Sequence, residues 1–262
     1  MLIADRAALL LLDARGRRRL PARAVGTVLA GALLSELVLR GDLDADPATG
    51  ALRARPGAAP GPRLAAALET VTAAGGDARR GVRALAARPV WDDAVAALGK
   101  TGAVRTERRR RLLVLTSVRW FPREGSVTAV RTQVRAALQA ARRRDRPAKV
   151  RAVDPATVSL VVLLAGAGCL PAVAPHLPGG LHLEEAADVL ADGRDLTPEA
   201  REALEDVETA VSVRVHALTG GDSSSSDTST SSGSGDGHHG HDGGSDGGSD
   251  GGGDGGGGGG GD

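Results

Sequence analysis

The sequence contains very few aromatic residues. Among 262 residues there are no tyrosines, one phenylalanine and two tryptophans. Aromatic rings are the platforms on which unpaired bases stack, so the sequence offers almost nothing for this kind of binding. Helix-turn-helix, zinc-finger and RNA-binding signatures are also missing from it. We therefore predict no nucleic-acid partner.

Long apolar runs and multiple cysteines are missing as well. The longest apolar stretch, residues 158–170, is well short of the roughly 20 residues that cross a bilayer. Asp5 and Arg6 precede an apolar run too short for a secretion signal. The single cysteine, Cys169, supports no disulfide framework and is compatible with a reducing compartment. These features predict a cytoplasmic protein whose contact with a membrane is peripheral.

Catalytic signatures are the third absence. The histidines His176, His182 and His216 occur in no H-E-x-x-H arrangement, and the sequence has no G-x-S-x-G elbow and no P-loop. Glu36 is a single carboxylate with no acid or base partner visible in the sequence. We expect a protein that is not an enzyme and that uses no cofactor and no metal.

The chain divides by composition near residue 220. Residues 220–262 contain only Gly, Ser, Thr, His and Asp, and without apolar side chains they cannot offset the cost of ordering a backbone. We predict a disordered tail there and one domain over residues 1–219. The tail holds eight aspartates and no basic residue, which leaves 33 basic against 24 acidic residues, a net charge of +9, before it. A basic body favours an anionic partner, for which the acidic tail could compete.

The hydrophobic pattern of the domain is mostly helical. Apolar residues recur at helical spacing in nine segments, and two short segments around 42–56 and 103–121 are typical of hairpins. The predicted fold is mainly α, a compact multi-helix domain around apolar central helices with one or two β-hairpins. The predicted helices span 4–13, 22–39, 64–74, 78–87, 90–98, 126–144, 155–168, 183–190 and 197–218.

Four motifs occur in a family-specific order along the domain. They are ALLLLDARG, AGALLSELVLRGDL, GKTGAVRTERRRRLLVLTSVRWFP and DPATVSLVVLLAGAGCLPAVAP. This ordered set resembles the Golgi phosphoprotein 3 family, here as a divergent, bacterial-type member. The resemblance implies a mostly helical peripheral membrane protein that binds phosphatidylinositol 4-phosphate. It also implies a hairpin that contributes to membrane contact and to homo-oligomerisation, here through residues 103–121.

The family's head-group pocket is built from one tryptophan and three arginines. Ala30 occupies the position of one pocket arginine, and Pro21 falls near the position of the tryptophan. Arg88 matches a second arginine, and Trp91 takes the place of the third. The resemblance thus implies a phosphoinositide site, whereas the residues themselves favour general binding of anionic lipid.

Basic residues near this pocket are candidates to replace the missing ones. Arginine can bind a phosphate through two parallel hydrogen bonds, and several arginines cluster just before the second predicted helix. An exposed, solvated loop would account for the same pattern. The predicted head-group residues are Arg18, Arg19, Arg23, Arg88 and Trp91.

Four consecutive arginines followed by an apolar stretch mark the second hairpin. A basic residue near an anionic leaflet contributes about 1 kcal/mol, and apolar residues beside it can insert shallowly. The alternative is a strand edge kept from aggregating by its charge. The predicted membrane-contact residues, placed in or beside the turn and in the return strand, are Arg108, Arg109, Arg110, Arg111, Leu112 and Leu113.

These observations predict a peripheral protein on the cytoplasmic face of a membrane that binds anionic phospholipid. The alternative is an intracellular protein-interaction domain that keeps the fold without binding lipid.

Overall fold

The computed structural model describes residues 1–58, 60–111, 115–142, 152–174 and 182–220, and only the backbone of residues 108–111 and 115–117. Ten helices and two antiparallel hairpins in these residues confirm the predicted mainly α class. Residues 221–262, for which we predict a disordered tail, lie outside this description.

The helices are α1 (Ile3–Leu10), α2 (Ala22–Leu39), α3 (Pro62–Ala73), α4 (Ala78–Ala86), α5 (Val90–Lys100), α6 (Glu124–Arg142), α7 (Pro155–Gly166), α8 (Leu170–Val173), α9 (Leu183–Asp192) and α10 (Pro198–Thr219). The strands are β1 (Leu43–Ala45), β2 (Leu52–Ala54), β3 (Val104–Arg111) and β4 (Leu115–Pro122).

Helix α2 is the central element of the core. It packs against α1, α3, α4, α5, α7 and α10, and both of its ends lie where the sequence pattern predicts them. Its composition and mean hydropathy of 1.6 would suit a membrane span, but 78% of it is buried inside the domain, which is typical of a core helix. A side chain at Gly31 would collide with Val211, so the small residues of α2 allow α10 to approach closely.

Helix α1 is fixed to α2 and α3 by polar contacts at its first turn. The backbone N–H of Ile3 donates to Oε2 of Glu36 at 2.9 Å, which satisfies one of the free amide groups of the helix end. Arg63 of α3 donates to Asp5 at 2.6 Å. Glu36, which the sequence leaves without a partner, therefore has a structural role in joining two helices.

Arg6 joins three helices from a buried position. Its guanidinium donates to Gln133 of α6 at 2.6 Å and to Thr157 of α7 at 2.9 Å, and it pairs with Asp154 at 3.4 Å. Asp154 also accepts from the Thr157 hydroxyl at 2.9 Å and is the N-cap of α7. Burying a guanidinium group costs much less free energy when several acceptors pair with it than when it has no partner.

Six predicted helix boundaries are wrong by two or three residues. Helix α3 begins at Pro62 rather than at residue 64, α5 ends at Lys100 rather than at 98, and α9 ends at Asp192 rather than at 190. Helix α1 ends at Leu10 rather than Asp13, because the Asp13 carboxylate accepts two following backbone N–H groups and so favours a turn. Helix α6 begins at Glu124, so the predicted cap Ser126 lies in its first turn; the Arg123 carbonyl already accepts from Val127. Helix α7 ends at Gly166, two residues before the prediction.

The second hairpin is present within one residue of its predicted limits, but its arginines are placed differently. Val104 pairs with Pro122 at one end of the register, and Arg111 pairs with Leu115 at the other. Residues 108–111 therefore continue strand β3, and only Arg111 borders the turn. Each arm of a two-stranded sheet is an edge, which readily accommodates charged residues. Leu112 and Leu113 lie outside the described residues.

Candidate functional site

A short basic loop, residues 13–19, follows α1 and is held in a defined shape. Oδ1 of Asp13 accepts from the backbone N–H groups of Arg15 and Arg17, at 2.8 and 2.7 Å. The chain then turns back, so that Arg18 forms an isolated bridge with Leu12. This basic loop therefore presents its arginines from a fixed backbone, as a binding site requires.

Gly16 brings the basic loop against the base of the β3–β4 hairpin. Its φ of +71° is costly for residues with a Cβ atom, and a Cβ there would lie 2.5 Å from the Trp120 carbonyl oxygen. The Trp120 ring also lies close to α5, because its Cζ3 atom would be 3.5 Å from a Cβ atom added at Gly99. The basic loop, the hairpin base and the end of α5 thus form one continuous surface.

Arg18 of the basic loop lies over the indole ring of Trp91. Its guanidinium carbon is 4.7 Å from the ring centroid, a cation–π distance. Trp91 itself is 8% exposed and belongs to the core, whereas Arg18 is exposed. The structure therefore brings together two of the predicted head-group residues from positions 73 residues apart in the sequence.

Of the other predicted head-group residues, Arg88 has a contact of its own and Arg23 is exposed. Nη1 of Arg88 donates to Oγ1 of Thr70 on α3 at 3.0 Å, beside a small cavity of about 40 Å³ that it lines together with Leu33. Arg23 is exposed in the first turn of α2 and has no acidic partner among the described residues. No hydrogen bond or cation–π contact within the described part of the chain joins either residue to the Arg18–Trp91 pair.

Arg19 belongs to a different group of positive charges. Its Nε donates to the Leu10 carbonyl at the end of α1, at 3.2 Å. Burial lowers the pKa of Arg131 on α6, and the charges of Arg19 and Arg135 lower it further. The charge of Arg19 also acts on Cys169, where it partly offsets the rise in pKa that burial causes. The charge of Arg19 thus acts both on α6 and on the residue that precedes α8.

The hairpin adds a further cation–aromatic contact next to the basic loop. The Arg105 guanidinium lies 5.8 Å from the centroid of the Phe121 ring and pairs with Glu107 at 2.6 Å. Residues 108–111 extend the basic strand from there, with their backbone paired to β4. The basic strand β3 therefore begins at the hairpin base, beside the basic loop.

An acidic groove lies between α7, α9 and α10. It has a volume of about 700 Å³, and four carboxylates that line it are Glu184, Asp188, Asp192 and Glu205. Arg194 and Glu208 also line it and form a bidentate pair at 2.6 and 3.0 Å. Burial raises the pKa of Glu208, and Arg194 opposes this rise. The charge of this groove suits a cationic partner and repels phosphate.

Arg131 and Arg135 are the residues that the sequence analysis missed. They are spaced i, i+4 on α6, so they lie one turn apart on the same face. Two like charges one turn apart destabilise an isolated helix. This unfavourable spacing is the feature by which the sequence could have identified the pair. Their proximity to Arg19, in contrast, depends on tertiary structure.

Comparison with known proteins identifies the family to which the domain is similar. A family model described as Golgi phosphoprotein 3 (GPP34) matches residues 3–207, which is most of the 262-residue chain. A comparison with curated proteins finds no match.

Proposed function

The chain belongs to the Golgi phosphoprotein 3 family, and from this we propose that it is a peripheral membrane protein that binds anionic phospholipid. The protein acts by binding and catalyses no reaction. It works on the cytoplasmic face of a membrane, and the partner of its basic surface is the layer of anionic head groups.

One observation carries the proposal: the contact of Gly16 with the Trp120 backbone places the basic loop beside the hairpin base. The exposed residues Arg17 and Arg18 can therefore approach the same plane as the basic strand β3. Each basic residue close to an anionic leaflet contributes about 1 kcal/mol, and the contributions add when the residues reach the surface together. A continuous basic surface consequently supports membrane binding better than separate patches of the same total charge.

Electrostatic attraction brings the domain to the membrane, and the hairpin then anchors it. Leu112 and Leu113 directly follow the four arginines in the sequence. We propose that these leucines insert shallowly among the head groups while Arg108–Arg111 contact lipid phosphates. Homo-oligomerisation through residues 103–121 would multiply this weak attachment.

Recognition of phosphatidylinositol 4-phosphate is the finer part of the proposal. Ala30 and Pro21 supply neither a charge nor a ring at the corresponding pocket positions, and Arg88 is engaged by Thr70. In this chain Arg18 and Trp91 together provide a guanidinium and an indole ring. We propose that this pair takes over the role of the family pocket.

A protein-interaction domain is the second candidate function. The acidic groove between α7, α9 and α10 favours it, because its carboxylates match a basic segment of another protein. In that case the fold would be kept and lipid binding lost.

Liposome co-sedimentation of the full chain tests the lipid-binding proposal. In the test variant Arg108, Arg109, Arg110 and Arg111 are replaced by serine. In the control the exposed residues Arg53, Arg79, Arg80 and Arg83 are replaced by serine, which removes the same charge. We expect the first variant to lose most of its binding to vesicles that contain phosphatidylinositol, and the control to keep it. Equal losses in both variants would mean that only net charge matters and would contradict a hairpin site.

A further inference from the structure

Arg131 is a partly buried arginine with one donor group left unpaired. Its Nε atom is shielded from solvent and has no hydrogen-bond acceptor among the described residues. A buried donor on a charged group that lacks an acceptor is costly, since it has lost water without gaining a partner. An arrangement of this kind is stabilised when a ligand supplies the missing acceptor.

Two more guanidinium groups lie next to it. Arg135 follows one helical turn later on α6, and Arg19 approaches from the basic loop, where Leu10 holds its Nε and the Leu11 carbonyl accepts its backbone N–H at 2.9 Å. The charges of both groups act on Arg131. No carboxylate in the described parts of the chain pairs with any of the three arginines. The cluster therefore concentrates three positive charges that the described structure does not neutralise.

We propose that Arg19, Arg131 and Arg135 form a binding site for a phosphomonoester group. This inference rests on the proposed function, because a lipid head group with a terminal phosphate would bring such a group to the domain surface. Soluble phosphate has the same chemistry, and the experiment below separates the two sources.

Phosphate fits the cluster better than other common anions do. Arginine presents five N–H donors in a planar fork that matches two phosphate oxygens at once. A phosphomonoester carries close to two negative charges at neutral pH and three strong acceptor oxygens, one for each guanidinium. A phosphodiester or a carboxylate carries a single charge and would leave more of the repulsion among the three arginines in place.

The cluster is separate from the Arg18–Trp91 pair although both include the basic loop. Arg18 lies over the ring on α5, whereas the charge of Arg19 acts on Arg131 of α6 and on Cys169, which precedes α8. Neighbouring residues of one fixed loop thus serve two surfaces.

The test titrates the full chain with inorganic phosphate at low salt and follows arginine side-chain Nε–H signals by NMR. The Arg131→Lys variant keeps the positive charge but has no guanidinium Nε–H group. The signal that is missing from its spectrum is therefore the Nε–H signal of Arg131. We expect this signal to shift with phosphate. We also expect Arg131→Gln and Arg135→Gln each to weaken phosphate binding about tenfold or more. The control pair, Arg79→Gln and Arg83→Gln, lies on α4 at the same i, i+4 spacing and should change nothing.

A second arm measures binding of the same variants to vesicles containing phosphatidic acid, whose head group is a phosphomonoester. Loss of both phosphate and vesicle binding in the Arg131 and Arg135 variants identifies a lipid head-group site. Loss of phosphate binding alone identifies a site for soluble phosphate. If phosphate does not shift the Arg131 signal, or if the α4 control weakens binding equally, the site does not exist. Thermal unfolding of each variant confirms that it is folded. Failure of the proposed function differs from these results, because then the unmodified chain sediments with no anionic vesicle.

Discussion

The guanidinium of Arg18 lies 4.7 Å above the indole ring of Trp91, and this contact joins the basic loop to the first turn of α5. A cation–π pair at a partly exposed site contributes about 0.5–1 kcal/mol. We therefore expect Arg18→Gln and Trp91→Leu, which removes the aromatic ring, to be coupled. In a double-mutant cycle measured by urea unfolding, the loss in the double variant should be smaller than the sum of the single losses by about that amount. Additive losses would show that the contact contributes no stability.

Gly16→Ala should destabilise the domain more than a conformational penalty alone explains. Gly102 has almost the same φ, +72°, but a side chain there would meet nothing within 4 Å, so Gly102→Ala is a matched control. Both variants incur about 1–2 kcal/mol for the left-handed backbone. Only Gly16→Ala adds the clash with the Trp120 carbonyl, which we expect to cost a further 1–3 kcal/mol or so. Equal midpoints in chemical unfolding would contradict the close approach of the basic loop to the hairpin.

The tryptophan fluorescence of the same two variants reports on the surface itself. If the collision moves the hairpin base, Gly16→Ala should change the emission of Trp120, while Gly102→Ala should leave it as in the unmodified chain. An unchanged spectrum in Gly16→Ala, together with unchanged stability, would show that the basic loop does not contact the hairpin base.

The sequence predicts the helices well where a local signal defines their ends. Helix α2 is predicted at both ends because its apolar pattern begins at Ala22 and Gly41 follows it. Asp77, Asp154 and Thr197 act as the N-caps that their residue types indicate. Where a boundary depends on competing interactions, the prediction fails, as at Asp13, whose side chain forms a turn inside an apolar run.

The candidate site is less predictable because its contacts are long-range. The sequence identifies Arg18 and Trp91 separately as candidate binding residues. The residues around each of them do not indicate that the two side chains are in contact. The approach of Arg19 to Arg131 depends on how α1 and α6 pack, since more than a hundred residues separate them in the sequence. The role of Glu36 as an acceptor for the first turn of α1 likewise requires the folded arrangement.

Asp154 should make stability depend on pH. Partial burial opposes its ionisation, but hydrogen bonds from Thr157 and the Ala156 backbone and the charge of Arg6 hold its pKa below the ordinary value of 3.8. A carboxyl with a lowered pKa contributes stability above its unfolded pKa and loses that contribution as pH falls through the folded value.

Two substitutions at this position separate its cap from its charge. Asp154→Ala removes the N-cap and should cost about 1 kcal/mol at neutral pH. Asp154→Asn keeps an acceptor and should cost less, since an ion pair whose carboxylate is more than half exposed is well screened. Urea unfolding across pH should show the difference between Asn and the unmodified chain disappearing in acid. A difference that stays constant with pH would contradict this role for the charge.

The acidic tail should weaken binding of the domain to anionic vesicles. Its eight aspartates carry charge opposite to that of the preceding residues. Replacing all eight by asparagine in the full chain should therefore strengthen vesicle binding at low salt, and the gain should fade as salt rises, because exposed charges are screened beyond about 10 Å at 0.1 M.

The control for the tail replaces eight of its serines by asparagine, which alters as many positions without changing the charge. Co-sedimentation compares the two variants across a salt series. If both variants bind vesicles as the unmodified chain does, the tail does not compete for the basic surface.

The most direct test of membrane binding compares the full chain on neutral and anionic vesicles as salt concentration rises. We predict sedimentation with vesicles that contain phosphatidylinositol or phosphatidic acid, a steady loss of this binding with salt, and no sedimentation with phosphatidylcholine alone. The account is contradicted if the protein stays in the supernatant with every vesicle at low salt, or if it binds neutral and anionic vesicles equally.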